Sequence, residues 1–333
     1  MLCETSLRRL AFMDLETSTL LDFLSDRQAA GSKVLLATVA HTWGSSPRPA
    51  GAMMAIDDAG AFVGSVSGGC IESELIDKVS CEFPETLMTW HYSSDDNRSL
   101  PCGGKLDLVI EPRPKDERLS TLRALAMENR RVKTTFDLAQ QVVQVDAADT
   151  EEVGSIGDGR VVVIREPQWR LLIAGAGELS ALVCRMALML GYAVEVCEPR
   201  EAYRFSWPVE EVPVAPAMPD DWLLAAGVTE TTAIVALTHD PKVDDLAMLA
   251  AVETNAFYVG ALGSARTSNK RRTRLREHFD LSTQALSRIV GPIGIDLGTR
   301  RAPEIALAVM ADITARRNAV SIESSRVVKA VSD

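Results

Sequence analysis

Two cysteines in the first third of the chain each stand beside a glycine pair, in Ser67-Gly68-Gly69-Cys70-Ile71-Glu72 and in Pro101-Cys102-Gly103-Gly104. Glycine permits backbone conformations closed to other residues and lets a ligand approach the main chain closely. A Gly-Gly pair offers no side chains for a thiol to pack against, so each segment predicts a sulfur beside an anion-binding nest of backbone amides. Ile71, Leu75, Ile76 and Val79 recur at helical spacing. That pattern predicts a helix opened by Cys70 and running to about Cys81, whose N-terminal dipole would lower the thiol pKa. Glu72 falls in the first turn, where a carboxylate is favoured. Upstream, Gly44-Ser45-Ser46-Pro47-Arg48 offers hydroxyls, amides and one guanidinium. Ser46 and Arg48 are candidate ligands for a phosphate, since arginine donates bidentately.

A different chemistry is written in the second half. Leu171-Leu172-Ile173-Ala174-Gly175-Ala176-Gly177-Glu178 reads as strand, glycine turn and helix. Gly175 would permit the tight turn and Gly177 the approach of a pyrophosphate, with Ser180 where a third glycine is usual. Glu198 closes the next strand, where an acidic residue binds ribose hydroxyls, and Arg200 follows it. These four residues, Gly175, Gly177, Glu198 and Arg200, form a candidate nucleotide site. Glu178 would repel a phosphate unless its side chain points away. Thr238-His239-Asp240 follows a buried strand, at the carboxyl edge where α/β proteins bind ligands. His239 and Asp240, with Asp244 beyond, could form an acid/base or metal pair. Gly263 and Ser264 precede a helix with Arg266, Lys270, Arg271, Arg272, Arg274 and Arg276, read first as a solvated face and, more sharply, as a docking patch or a site for a ligand phosphate. His41, His91 and His278 have no sequence cluster and read as structural.

These groups need two scaffolds. The chain has 333 residues, 47% of them apolar and 24% charged, which fits two ordinary globular domains. A net charge of −11 argues against a nucleic-acid footprint. Six dispersed cysteines without a Cys-x-x-Cys pair suggest a reducing compartment rather than disulfides or a zinc finger. The first dozen residues do not read as a secretion signal, and no stretch reaches the length of a membrane span. The expected localisation is cytoplasmic. In the first half the pattern predicts a helix over 14–31, strands at 33–41, 53–56 and 61–66, strands at 86–92 and 105–112, and a helix over 116–129. Residues 132–166 read as short strands with a polar, acidic connector around 146–159, which suggests an interdomain linker near 150–168. Strands and helices then alternate, predicting a parallel sheet covered on both faces. The expected fold is α/β: an α+β cofactor-handling domain over 1–160, then a Rossmann-like doubly wound sheet over 168–320.

The motifs together resemble the XdhC/CoxI family of accessory proteins for molybdenum hydroxylases. The resemblance rests on residues 44–53, 64–72 and 101–104, Glu111-Pro112, Gly175-Ala176-Gly177, Glu198-Pro199-Arg200, Thr238-His239-Asp240, 258–264 and 291–298. It implies a maturation factor rather than an enzyme. Such a protein binds the molybdenum cofactor, in molybdopterin or cytosine dinucleotide form, while a cysteine desulfurase sulfurates it. It then hands the cofactor to the apo-hydroxylase large subunit. Cys70 or Cys102 would ligate molybdenum or relay sulfur, with Gly68, Gly69, Gly103, Gly104, Ser46, Arg48 and Glu72 around the cofactor. Where the family usually has His and Asp, this chain has Glu178 and Glu198. A homodimer is expected on base rate. The alternatives are an NAD(P)-dependent oxidoreductase using Gly175, Gly177 and Glu198, and a metal-dependent hydrolase or transferase using His239, Asp240 and Asp244.

Overall fold

The computed structural model describes residues 15–43, 48–93, 104–149 and 152–320. The chain divides between Pro167 and Gln168 into two compact units.

The first unit contains α1 (Leu15–Ala29), β1 (Val34–Trp43), β2 (Met53–Asp57), β3 (Phe62–Gly64), α2 (Glu72–Cys81), β4 (Met88–Tyr92), β5 (Lys105–Pro112) and α3 (Asp116–Met127), then β6 (Val132–Asp137), β7 (Val142–Ala147), β8 (Ser155–Gly157) and β9 (Arg160–Arg165). The first five strands form an antiparallel sheet in the order β3-β2-β1-β5-β4. Strand alternation sends Leu35, Ala37, Val39, Leu106, Leu108 and Ile110 to one face, where Ile71, Leu75 and Val79 of the α2 region cover them. Val34 and Leu36 point the other way, against Leu20, Leu21 and Leu24 of α1 and Leu119 and Leu122 of α3. Val109, also on that side, meets Phe136, Val161 and Val163 of a second, four-stranded sheet ordered β7-β6-β9-β8.

That second sheet occupies much of the segment expected as a linker, and the boundary between the units falls at the end of that segment. Residues 155–157 and 160–165 are strands, and β9 pairs with β6 along its whole length, from Val132 opposite Arg165 to Asp137 opposite Arg160. A boundary at 160 would cut β9, so the first unit runs to Pro167. The polar composition that suggested a linker reflects a thin sheet: β7 alternates exposed and half-buried residues, and all three residues of β8 are exposed.

The second unit holds β10 (Arg170–Ala174), α4 (Glu178–Met189), β11 (Ala193–Cys197), α5 (Glu201–Phe205), β12 (Val214–Ala215), α6 (Pro219–Ala225), β13 (Thr232–Ala236), α7 (Pro241–Val252), β14 (Tyr258–Ala261), α8 (Ala265–Phe279), α9 (Thr283–Arg288), β15 (Ile289–Val290) and α10 (Ala302–Arg317). Its six strands are all parallel, in the order β12-β11-β10-β13-β14-β15. Leu171 and Ile173 face a core closed by α4 and α10, while Leu172 and Ala174 face one closed by α6, α7 and α8. Helices on both faces make the doubly wound fold expected from the alternation. The short elements α5, β12, α6, α9 and β15 carry too little periodicity to be read in advance.

Candidate functional site

Strand register decides which motifs meet. Thr38 of β1 lies opposite Met53 of β2, and Trp43 opposite Lys105 of β5. Gly64 of β3 lies opposite Met54, and Tyr92 of β4 opposite Leu106. The C-terminal ends of β1, β3 and β4 therefore lie at the same sheet end as the N-terminal ends of β2 and β5. The β1–β2, β3–α2 and β4–β5 connections all leave from that end, and in sequence they hold the three motifs. Gly44 and Ser45, Ser46, Pro47, Pro101, Cys102 and Gly103 lie outside the described residues; Arg48, Gly104 and the whole Cys70 segment lie within them.

The Cys70 segment is a loop wound around its own carboxylate. Glu72 Oε1 accepts from Ser65 Oγ at 2.6 Å, Val66 N at 3.1 Å and Ser67 N at 2.8 Å. Oε2 accepts from Ser67 Oγ, Gly69 N at 2.9 Å and Ile71 N at 3.2 Å. The remaining amides are taken by hydroxyls: Gly68 N donates to Ser65 Oγ, and Cys70 N to Ser67 Oγ, each at 2.9 Å. Gly68 (φ 75°) and Gly69 (φ 106°) adopt the left-handed conformations that this winding requires. Burial alone would raise the Glu72 pKa, but the Ser65 and Ser67 hydroxyls and the loop amides overcome it and hold the carboxyl at about 2.

This corrects two expectations. The nest of amides exists, but its anion is Glu72, so these amides are not left for a phosphate. The helix begins at Glu72 with Ile71 as its N-cap, so Cys70 precedes the helix. What the loop presents outward is the thiol: Cys70 is exposed. Of the other cysteines among the described residues, Cys81 is exposed, while Cys184 and Cys197 are buried. Burial pushes the Cys184 thiol up to about 12 and that of Cys197 higher still, which removes both as thiolate donors.

Arg48 joins the same cluster. Its Nε donates to the Ser65 carbonyl at 3.2 Å, and its guanidinium pairs with Glu16. A connection between Arg48 and the Cys70 loop, separated by seventeen positions, was not legible from spacing. Gly104 is buried immediately before β5.

The second unit places its candidates at the carboxyl ends of β10, β11 and β13, as predicted. Gly175 (φ 115°) makes the turn, and a Cβ there would lie 2.7 Å from Thr238 Cγ2. Beside Gly177 a Cβ would meet nothing within 4 Å. Gly175→Ala should therefore cost this unit about 2 kcal/mol or more and Gly177→Ala about 0.5 kcal/mol; chemical denaturation of the two variants checks the contrast.

Glu198 is fully buried and its carboxylate is engaged. Oε1 accepts from Arg200 N at 2.9 Å and Arg200 Nε at 2.7 Å; Oε2 accepts from Ala176 N at 3.1 Å and Arg200 Nη2 at 2.8 Å. Burial raises its pKa, and the Arg200 and Ala176 bonds more than reverse that. The expected ribose acceptor is thus an internal strut between the glycine turn and Arg200, which weighs against the nicotinamide reading.

His239 is exposed in a left-handed conformation (φ 63°). Asp240 caps α7 by accepting from Lys242 N at 3.0 Å. Asp244 is buried between Thr238 Oγ1 at 2.6 Å and Arg271 Nη2 at 3.2 Å. Among the described residues no three His, Cys, Asp or Glu side chains are grouped to hold a metal ion. Gly263 and Ser264 form the N-terminal cap of α8, with Ser264 Oγ accepting from Thr267 N at 3.2 Å. The basic run on α8 splits. Arg271 and Arg274 bind Asp245, and Arg272 donates to the carbonyls of Ile289 and Gly291; Arg266, Lys270 and Arg276 are exposed.

Sequence reasoning missed one grouping. His41 and His91, read as isolated, both lie opposite Asp107, on strands either side of it. Only strand register could have brought them together.

Comparison with known proteins adds an independent line. Residues 27–81 match the profile of the XdhC and CoxI family, and residues 171–313 match that of the XdhC Rossmann domain. The chain is 26% identical over 311 residues to the molybdenum cofactor insertion chaperone PaoD of Escherichia coli K12, covering 92% of this chain and 91% of the relative. It is 25% identical over 338 residues to a probable xanthine dehydrogenase subunit of Bacillus subtilis 168, covering 91% and 98%. A solved structure described as a xanthine dehydrogenase from Bacillus halodurans shares the fold, with a TM-score of 0.70 at 21% identity, over 92% of this chain and 98% of that one. Two family profiles in the expected order, one on each unit, and relatives aligned over nearly their whole length lead to one conclusion: the chain belongs to the XdhC/CoxI family.

Proposed function

We propose that this protein is a molybdenum-cofactor insertion chaperone that carries the cofactor to a xanthine dehydrogenase-like hydroxylase. The observation that carries the reading is Cys70: an exposed thiol on a loop locked by its own buried carboxylate, at the sheet end where three motif-bearing connections gather. A thiolate is a soft donor suited to molybdenum, and a loop already ordered loses little entropy when it takes up cargo. The name and near full-length alignment of the Escherichia coli relative support the same assignment.

In this reading the chain's residues bind and shield rather than catalyse. Glu72 fixes the loop, Cys70 presents sulfur to the metal, and Arg48 ties the β1–β2 connection to the loop. Cys102, outside the described residues, is a second donor candidate. Sulfuration by a cysteine desulfurase while the cofactor is held, a cytosine dinucleotide form of the cargo, a homodimeric state and a cytoplasmic location belong to the same proposal. No helix among the described residues is long and apolar enough to cross a membrane.

The test is anaerobic retention of the cofactor through gel filtration, with molybdenum and pterin both quantified. Wild type should retain both, Cys70→Ala should lose at least about tenfold in affinity, and Cys81→Ala, which removes the other exposed thiol among the described residues, should bind normally. Equal retention by wild type and Cys70→Ala would remove Cys70 from the binding site.

A further inference from the structure

The end of the five-stranded sheet carries a second cluster that the Cys70 site does not use. On β1 the register shifts between Val39 and His41. This bulge re-aims the residues that follow, so that His41 lies opposite Asp107 and Trp43 opposite Lys105. From the other side His91 of β4 also lies opposite Asp107. Residues directly opposite one another project from the same face, so His41, Asp107 and His91 form one row across three strands. The His91 Nδ1–H donates to Asp107 Oδ1 at 2.6 Å. Among the described residues its Nε2 meets only Thr89 Oγ1, at 3.4 Å, and its side chain is 65% exposed. A carboxylate on one ring nitrogen fixes the tautomer and the ring orientation, leaving the other nitrogen to a ligand.

Beside this row the rings of His41 and Trp43 stack, with centroids 5.2 Å apart and planes at 26°. Trp43 is 48% exposed, so the stack ends in an open indole face. His41 Nδ1 is buried without a hydrogen-bond partner among the described residues. The half-exposed indole and the oriented imidazole stand on one sheet face, on strands either side of β5, and supply what a planar heterocycle with hydrogen-bonding edges needs: the indole stacks on the ring and the imidazole reads its edge. Both stand at the sheet end from which the Cys70 loop leaves.

We propose that Trp43 and His91, the latter oriented by Asp107, form the subsite for the pterin ring of the cargo. This rests on the chaperone reading and adds to it where the organic part of the cofactor sits. The probe is 6-carboxypterin, which carries the ring without molybdenum, titrated against the full-length protein. Wild type should bind it and shift the NMR signal of the His91 ring. Trp43→Leu and His91→Asn should each weaken binding about tenfold, the loss expected for one stacking or edge contact, with thermal midpoints unchanged. Cys81→Ala, which lies in neither cluster, should leave pterin binding as it was. No binding by wild type, or equal affinity in all four proteins with an unmoved His91 signal, overturns the subsite. The two readings separate cleanly. Retention of molybdenum cofactor that is indifferent to Trp43 and His91 sinks the subsite and keeps the chaperone. Pterin binding that depends on both residues, without retention of the molybdenum cofactor, does the reverse.

Discussion

Glu72→Gln should unmake the Cys70 loop. The substitution replaces one carboxylate oxygen with an NH2 group, while each oxygen now accepts three hydrogen bonds from Ser65, Val66, Ser67, Gly69 and Ile71. Three donors would then face a donor, at a side chain only 7% exposed. Leaving buried donors unsatisfied costs about 1–3 kcal/mol each before relaxation, so a loss of about 3 kcal/mol is expected even after the loop rearranges. For a unit of this size that is about 6–12 °C in Tm. Cofactor retention should fall with it, because Gly68 and Gly69 keep their left-handed conformations only while the loop is wound. The pH dependence gives a second readout. The Glu72 carboxyl is held at about 2 against an ordinary 4.5, so the folded state binds this proton more weakly than the unfolded one. The stabilisation, about 3 kcal/mol, is present above pH about 4.5 and lost as pH falls from there towards 2. Wild type should therefore lose stability over that window, and Glu72→Gln should show a correspondingly shallower slope. Identical slopes would mean that the carboxylate does not hold the loop.

The second large effect lies in the interior of the first unit. Glu111 of β5 and Arg118 of α3 pair at 3.2 Å, each with a side chain 7% exposed. The pair is poorly satisfied: Glu111 Oε2 and Arg118 Nε and Nη1 have no hydrogen-bond partner among the described residues, nor does the nearby-strand hydroxyl of Thr38. Burial pushes the Glu111 carboxyl up and Arg118 down, each opposed by the charge of the other. Removing one partner strands a buried charge, so Glu111→Leu should cost about 3–5 kcal/mol. Replacing both, as Glu111→Leu with Arg118→Met, should restore the unit to within about 1 kcal/mol of wild type, because apolar side chains of similar size need no partners. A double-mutant cycle by chemical denaturation checks this. A double variant as unstable as the sum of the singles would show that the pair holds the fold by contacts other than its charges. Glu111 belongs to the Glu111-Pro112 motif, so the cycle also separates a structural reason for that motif from a functional one.

The contrast between these two carboxylates marks how far the sequence could be read. Long elements with a clear period were legible: the α8 helix and the β5 strand fall on the predicted residues, and alternation of strands with helices was enough to foresee the doubly wound sheet. Gly175 was legible because a strand–turn–helix demands a left-handed residue there. Side-chain commitments were not. Glu72 looked like a helix-capping residue because its spacing fits one, yet its partners are upstream amides that only the winding of the loop brings to it. Glu198 stood where a ribose acceptor belongs, and nothing local announces that Arg200 folds back onto it. His41 and His91 are fifty positions apart and meet through Asp107 only because β5 lies between β1 and β4 and a bulge re-aims β1. Register is a long-range property, set by which faces can be buried, and no window of sequence contains it.

An insertion chaperone must give up what it holds. The direct measurement is to load the full-length protein with molybdenum cofactor under anaerobic conditions, mix it with cofactor-free xanthine dehydrogenase, separate the two, and follow molybdenum on each against hydroxylase activity. The account predicts that molybdenum leaves this chain, appears on the hydroxylase and brings activity with it, faster than from an equal amount of free cofactor. Molybdenum that stays on the chain, or transfer no faster than from free cofactor, would contradict it.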